Sequence, residues 1–417
     1  MRRSLNTLSL ALLAFCAACG KDATTPTGPD PLQNPCPSVG QPDAIPAMTV
    51  LGCGNFKPQR ITGEIFVRGS TAYTTTWGNQ GGSSVFYIWD VSGNVPAIVD
   101  SVRVENAGTL GDIVVTDDGG HLVVATENAP GSIVIYSLAD PRRPQLVTRF
   151  TNAETNPGVH TAEVGRVGGK QYAFLSIDPS VTAASKLVIV DLSNPAAPLQ
   201  VFSRTIGTPF VHDTFVRDGI LFLGLWNGGV AIWDLGGGGK GGTPSAPVEI
   251  GLLQTANGKV HNIWWFKDPV TGSARYAFIG EEGPGNVGVA SSGDIHVVDV
   301  SNMGSPREVA FYTVPLAGTH NFSVDEANGI LYAAYYNGGV RAIDVRGDLG
   351  SCDGAISPVG NSGVPLCDLT KMGRQLAVGL KDRGNSPYIW GVQYLNGSVY
   401  ASDMRNGIWK LQAVSRR

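Results

Sequence analysis

The residues best suited to chemistry in this 417-residue chain are His160, His212, His261 and His320. They are four of its six histidines, and each opens a similar apolar segment, as in VHDTFV around His212 and VHNIWW around His261. Neutral imidazole commonly ligates Zn, Cu, Fe and Ni. Four converging rings could therefore hold a transition metal ion such as Zn or Cu. Glu64, Asp112 and Asp213 fall close by in the repeat and could orient such rings from outside. A structural role stays open beside this one, because duplication would copy a histidine that hydrogen-bonds between strands as readily as a ligand. Gly63, Gly111 and Gly391 stand at the same position in three other units, which excludes a full ring of imidazoles.

The elements that position these histidines recur along the chain. Aligned on the first-strand motif, units start at Gly63-Glu64, Gly111-Asp112, His160-Thr161, His212-Asp213, His261-Asn262, His320-Asn321 and Gly391-Val392. Each unit has a strand, a turn that is often Asx-Gly, a second strand, a loop that often carries Gly, and a third strand ending in a polar turn, in most units at an Asp. Asx-Gly between apolar runs is a strong hairpin signal. A weaker fourth strand follows. Four strands repeated at about 40–50 residues are the sequence sign of a β-propeller. The fold expected is all-β: a seven-bladed β-propeller over residues 44–414. The last unit is one strand short, and Ala47–Leu51 is one strand too many at the start. That N-terminal strand is expected to complete the last blade. In the long insertion Gly347–Ser386, Gln375–Leu380 is the candidate fourth strand of blade six.

Loops between second and third strands should share the histidine face of the channel. They carry Trp77, Glu127, Asp178, Trp226, Asn227, Glu281, Glu282, Tyr336, Asn337, Asp403 and Arg405. Aromatics beside polar groups suit a ligand pocket. The chosen ligand-binding set is Glu64, Asp112, Asp213, Trp226, Glu281, Tyr336, Asp403 and Arg405. Asp90, Asp191, Asp234, Asp299 and Asp344 close third strands and read as turn formers.

Net charge is −4 and the isoelectric point about 5.9, with no basic run, so no nucleic-acid partner is expected. There is no phosphate-binding loop, no nucleophile elbow, no HExxH and no EF-hand loop. Residues 1–19 read as a lipoprotein signal peptide: Arg2 and Arg3, then a short apolar run ending CAACG, with Cys19 as the lipidated residue. Residues 20–43 read as a flexible Thr/Pro-rich tether. The chain is then exported and lipid-anchored at the outer membrane or cell surface. Cys36, Cys53, Cys352 and Cys367 suit an oxidising compartment. Of three pairings, Cys36–Cys53 and Cys352–Cys367 are favoured because each pair is local.

Lys186–Pro195 reads KLVIVDLSNP, with related units IHVVDVSNMGSP, VFYIWDVSGNVP and VAIWDL. This resembles the LVIVD-repeat family of bacterial and archaeal cell-surface β-propellers, over about residues 47 to 411. The resemblance implies the fold and a surface location but little chemistry. The function expected is a surface binding or interaction module. It would be monomeric, with a surface protein, a glycan or a small molecule at the histidine-lined mouth. The alternative is a metal-dependent extracytoplasmic oxidase or hydrolase using the four histidines.

Overall fold

The computed structural model describes residues 46–54, 60–78, 83–180, 184–207, 210–255, 258–285, 291–357, 364–381 and 387–415. The expected signal peptide and tether lie outside these residues, and with them Cys19 and Cys36. The described residues form seven sheets, antiparallel apart from one short added strand, and no helix. The innermost strands are Ile61–Arg68, Thr109–Val115, Val159–Val167, Asp213–Arg217, Val260–Trp265, Phe322–Asp325 and Ile389–Leu395. They touch one another in that order, and the last returns to the first. This is the expected seven-bladed ring.

The third strand of each blade explains why the repeat reads as an unbroken apolar run. In Ser185–Asp191, Val188 and Val190 pack against Val123 and Ile135 of blade two. Leu187 and Ile189 point the other way, toward Leu221 and Trp233 of blade four. Alternate side chains face opposite sides of a strand. Here both sides are covered, so both must be apolar. Each fully buried Val, Leu or Ile contributes roughly 1.5–3 kcal/mol relative to exposure. Outer strands lack such cover, and Ala97–Arg103 is exposed along most of its length.

The repeated aspartates are turn formers. Asp90, Asp191, Asp299 and Asp344 each accept the backbone N–H two residues on, at 2.9, 2.7, 3.0 and 3.0 Å. Such Asx turns stop the third strand and aim the chain at the fourth. Tight hairpins fall where Asx-Gly stands. Asp218 and Gly219 have φ of 49° and 72°, and Asn396 and Gly397 have 47° and 81°. Two positive φ values define the turn that matches strand twist.

Closure differs from expectation by three residues. The closing strand is Val50–Gly54, antiparallel to Gly407–Gln412 in blade seven. Residues before it are taken by blade six: Met48 N–H donates to Val378 O, and Val378 N–H to Pro46 O. The segment therefore straps two blades. Gln375–Gly379 completes blade six as expected. Cys352 and Cys367 are bonded, and Cys367–Asp368 adds a parallel fifth strand to blade five. Cys53 is disulfide-bonded, and its expected partner lies outside the described residues.

Candidate functional site

A register break places His160 and His261, whereas His212 and His320 stand just before first strands that pair without one. In five blades the pairing of first and second strands slips where the first strand begins. The breaks fall between Thr62 and Ile65, Leu110 and Ile113, Val159 and Thr161, Val260 and Asn262, and Ile389 and Val392. A β-bulge redirects a side chain. Here the residue at the break turns from the blade toward the channel mouth.

The four imidazoles form one row. Successive ring centroids are 4.4, 4.2 and 3.8 Å apart from His160 to His212, His261 and His320. Trp390 extends the row at 4.3 Å from His320. Aromatic rings cover it from the loops: Trp226 stacks on His212 at 4.7 Å, and Tyr336 meets His320 edge-on at 5.2 Å. His212, His261 and His320 are buried, whereas the His160 side chain is 23% exposed. His160 is the end that reaches solvent.

Acidic groups flank the row. Nε2 of His261 and Nε2 of His320 each lie 3.8 Å from the same Glu282 oxygen. The buried Tyr336 hydroxyl donates to that carboxylate. Donor atoms of His212, His261 and Glu282 all fall within 4.8 Å of one another, as do those of Glu127, His160 and Asp178. Between the two groups, His160 Nε2 meets His212 Nε2 at 3.0 Å.

Charge divides the row. Burial, reinforced by neighbouring imidazoles, holds His212, His261 and His320 well below the usual histidine range, so they are neutral. Burial would lower His160 too. Glu127 and Asp178 overcome it and raise His160 to about 10. His160 is thus the cationic partner and donates to His212. The backbone carbonyl of His261 lies against the His212 ring, and that of Trp390 against His320. Nδ1 of His212, His261 and His320 nonetheless makes no hydrogen bond of full geometry.

Glu64, Asp112 and Asp213 form the next layer. A void of about 20 Å³, room for roughly one water, separates them from the histidines. Their hydrogen bonds run across the channel or between blades. Asn262 donates to Asp213 at 3.0 Å, Ala162 N–H to Asp112 at 2.9 Å, and the Asn321 amide to Glu64. Burial pushes all three carboxyls up. Beyond them the channel widens to a cavity of about 570 Å³ with Glu163, Arg166 and Trp264 on its wall.

The structure brings Trp226 and Tyr336 to the row as expected. It turns Glu281 away: Glu281 pairs with His296 at 2.9 Å inside blade five, and its neighbour Glu282 faces the histidines instead. Adjacent strand residues point to opposite sides, so one position decides the matter. Asp403 accepts from Tyr388 N–H, Arg405 N–H, Asn406 Nδ2 and Trp409 Nε1 within blade seven. Arg405 stacks over Tyr388 at 3.8 Å. Neither joins the row. Trp390 was not anticipated. It stands one residue before Gly391, and only the register break brings it into line.

This arrangement defines a seven-bladed β-propeller with a histidine row across one end of its channel. The family model described as LVIVD repeat matches two stretches of the chain, residues 182–205 and 287–314. No curated protein matches. Solved propellers share the fold alone. Sqt1 of Saccharomyces cerevisiae is 9% identical with a TM-score of 0.53, covering 89% of this chain and 87% of that one. The RRP9 WD40 repeats are 10% identical with a TM-score of 0.57, covering 88% and 98%. The computationally designed Ika8 protein is 10% identical with a TM-score of 0.53, covering 87% and 99%.

Proposed function

We propose that this propeller is a binding module of the cell envelope whose ligand is a transition metal ion held in the histidine row. His261, His320 and Glu282 supply the donors, with His212 beside them. One observation carries the reading: two neutral, buried imidazole nitrogens face one carboxylate oxygen, each at 3.8 Å. An imidazole that carries its proton on Nδ1 keeps a lone pair on Nε2. A lone pair facing a carboxylate is repulsive, and a cation between them removes the repulsion. Borderline-soft ions such as Zn²⁺ and Cu²⁺ fit imidazole and carboxylate donors. The Tyr336 hydroxyl would orient the Glu282 ligand from outside.

The test is direct. Untagged protein is stripped with a chelator, incubated with Zn²⁺ or Cu²⁺, and passed through gel filtration. Retained metal by mass spectrometry supports the reading, as does its loss in His261→Ala and Glu282→Gln. No retained metal in the parent protein defeats it. Export and lipidation at Cys19 belong to the same proposal and rest on sequence. Cys19→Ser should move the protein from the membrane fraction to the soluble one.

The exposed edge of the row favours a second reading, in which a substrate reaches the ion and is oxidised or hydrolysed. It requires turnover that disappears with His261→Ala.

A further inference from the structure

The solvent end of the row carries a second set of donors that the inner site does not use. His160 Nδ1 lies 3.5 Å from a Glu127 oxygen and 3.6 Å from an Asp178 oxygen. Donors about 2.0–2.2 Å from a tetrahedral centre lie roughly 3.3–3.6 Å apart, so these separations are those of tetrahedral edges. The parts that orient such ligands are also present. Trp77 Nε1 donates to Glu127 at 3.0 Å. His160 turns its other nitrogen, Nε2, to His212 at 3.0 Å. A ligating histidine usually donates its second N–H to a fixed acceptor, which sets the tautomer. His212 is that acceptor, and it presents His160 Nδ1 to the two carboxylates, where the incoming ion replaces the proton that makes His160 cationic in its absence.

We propose that the mouth binds a second divalent transition cation through His160 Nδ1, Glu127 and Asp178, so that the propeller carries a pair of ions. This rests on the inner ion proposed above. With both present, His212 serves His160, and the inner ion keeps His261, His320 and Glu282. Three protein donors leave each ion an open position. The outer ion is the exchangeable one, because the Asp178 side chain is 27% exposed while that of Glu282 is 8% exposed.

Stoichiometry tests the pair in the whole protein. Chelator-stripped protein is titrated with Zn²⁺ by calorimetry, and bound metal is measured after gel filtration. Two equivalents are expected. Asp178→Asn, at a partly exposed side chain, should reduce them to one with an unchanged melting temperature. Glu127→Gln/Asp178→Asn should do the same. Loaded with Cu²⁺, the parent protein should show an electron paramagnetic resonance signal weakened by coupling, and Asp178→Asn should restore an isolated one. A single equivalent in the parent overturns the outer site and leaves the inner one standing. So do two equivalents that the carboxamide variants leave unchanged. No bound metal at all defeats both.

Discussion

Trp226 and Tyr336 hold backbone conformations that bulky residues avoid, with φ of 42° and 40°. Each such residue costs of order 1–3 kcal/mol, and such strain gathers at ligand clamps and active sites. Both occupy the same loop of the repeat, and both lay their rings on the histidine row. The cost is offset where a ring closes over the buried imidazoles. Tyr336→Phe keeps the ring and removes the hydroxyl that donates to Glu282. It should weaken metal binding by about 10–100-fold, measured by competition with a chelating dye. Glu64 gives a pH signature. Burial raises its carboxyl from 4.5 to about 8. The folded state then holds a proton that the unfolded chain has released, so this group's contribution to stability is full below 4.5 and is lost as pH rises to about 8. Glu64→Gln should flatten the fall in melting temperature across that window. Asn321, whose Oδ1 has no partner, can flip its amide to accept from the introduced one.

At the scale of elements, turns and register breaks decide where side chains point. Asp234 closes the third strand of blade four and collects four backbone N–H groups, from Gly236, Gly238, Lys240 and Gly242, at 2.7 to 3.2 Å. Burial opposes ionisation, but these donors outweigh it and hold the carboxyl at about 2. A depressed carboxyl stabilises above its unfolded value and loses that contribution as pH falls through the folded one. Asp234→Asn should lower the melting temperature at neutral pH and narrow the gap to the parent between about pH 4 and 2. Gly229 ends the loop that carries Trp226. Its φ is 82°, and an added Cβ would meet Leu253 O at 2.0 Å. Gly229→Ala should destabilise by more than about 1 kcal/mol, read from denaturant unfolding.

The whole molecule depends on its strap. Pro46–Gly54 pairs with blade six and then blade seven, so the ring has no free edge there. Deleting residues up to Gly54 would leave Gly407–Gln412 as an open edge, a template for pairing with other chains. The truncated protein should melt earlier and elute as aggregates in size-exclusion chromatography, while keeping its β signature. At this scale most of the fold was legible. Seven unit starts, the short last unit and the surplus first strand announced a closed ring. The three-residue offset of the closing strand was not legible, because Val378 of blade six claims Met48 first. Half of the candidate site was legible too. Histidines at one repeat position must share one end of the channel.

What the sequence determined by itself is periodic: strands, turns, blade number, and the end of the channel that holds the imidazoles. Periodicity suffices there because each blade repeats the same local problem of covering two apolar faces. Only the tertiary structure decided between Glu281 and Glu282, lifted Trp390 into the row, and divided the histidines into one cation and three neutral rings. Those outcomes turn on single-residue register and on burial beside particular carboxylates. Both arise only when seven inner strands meet around one axis.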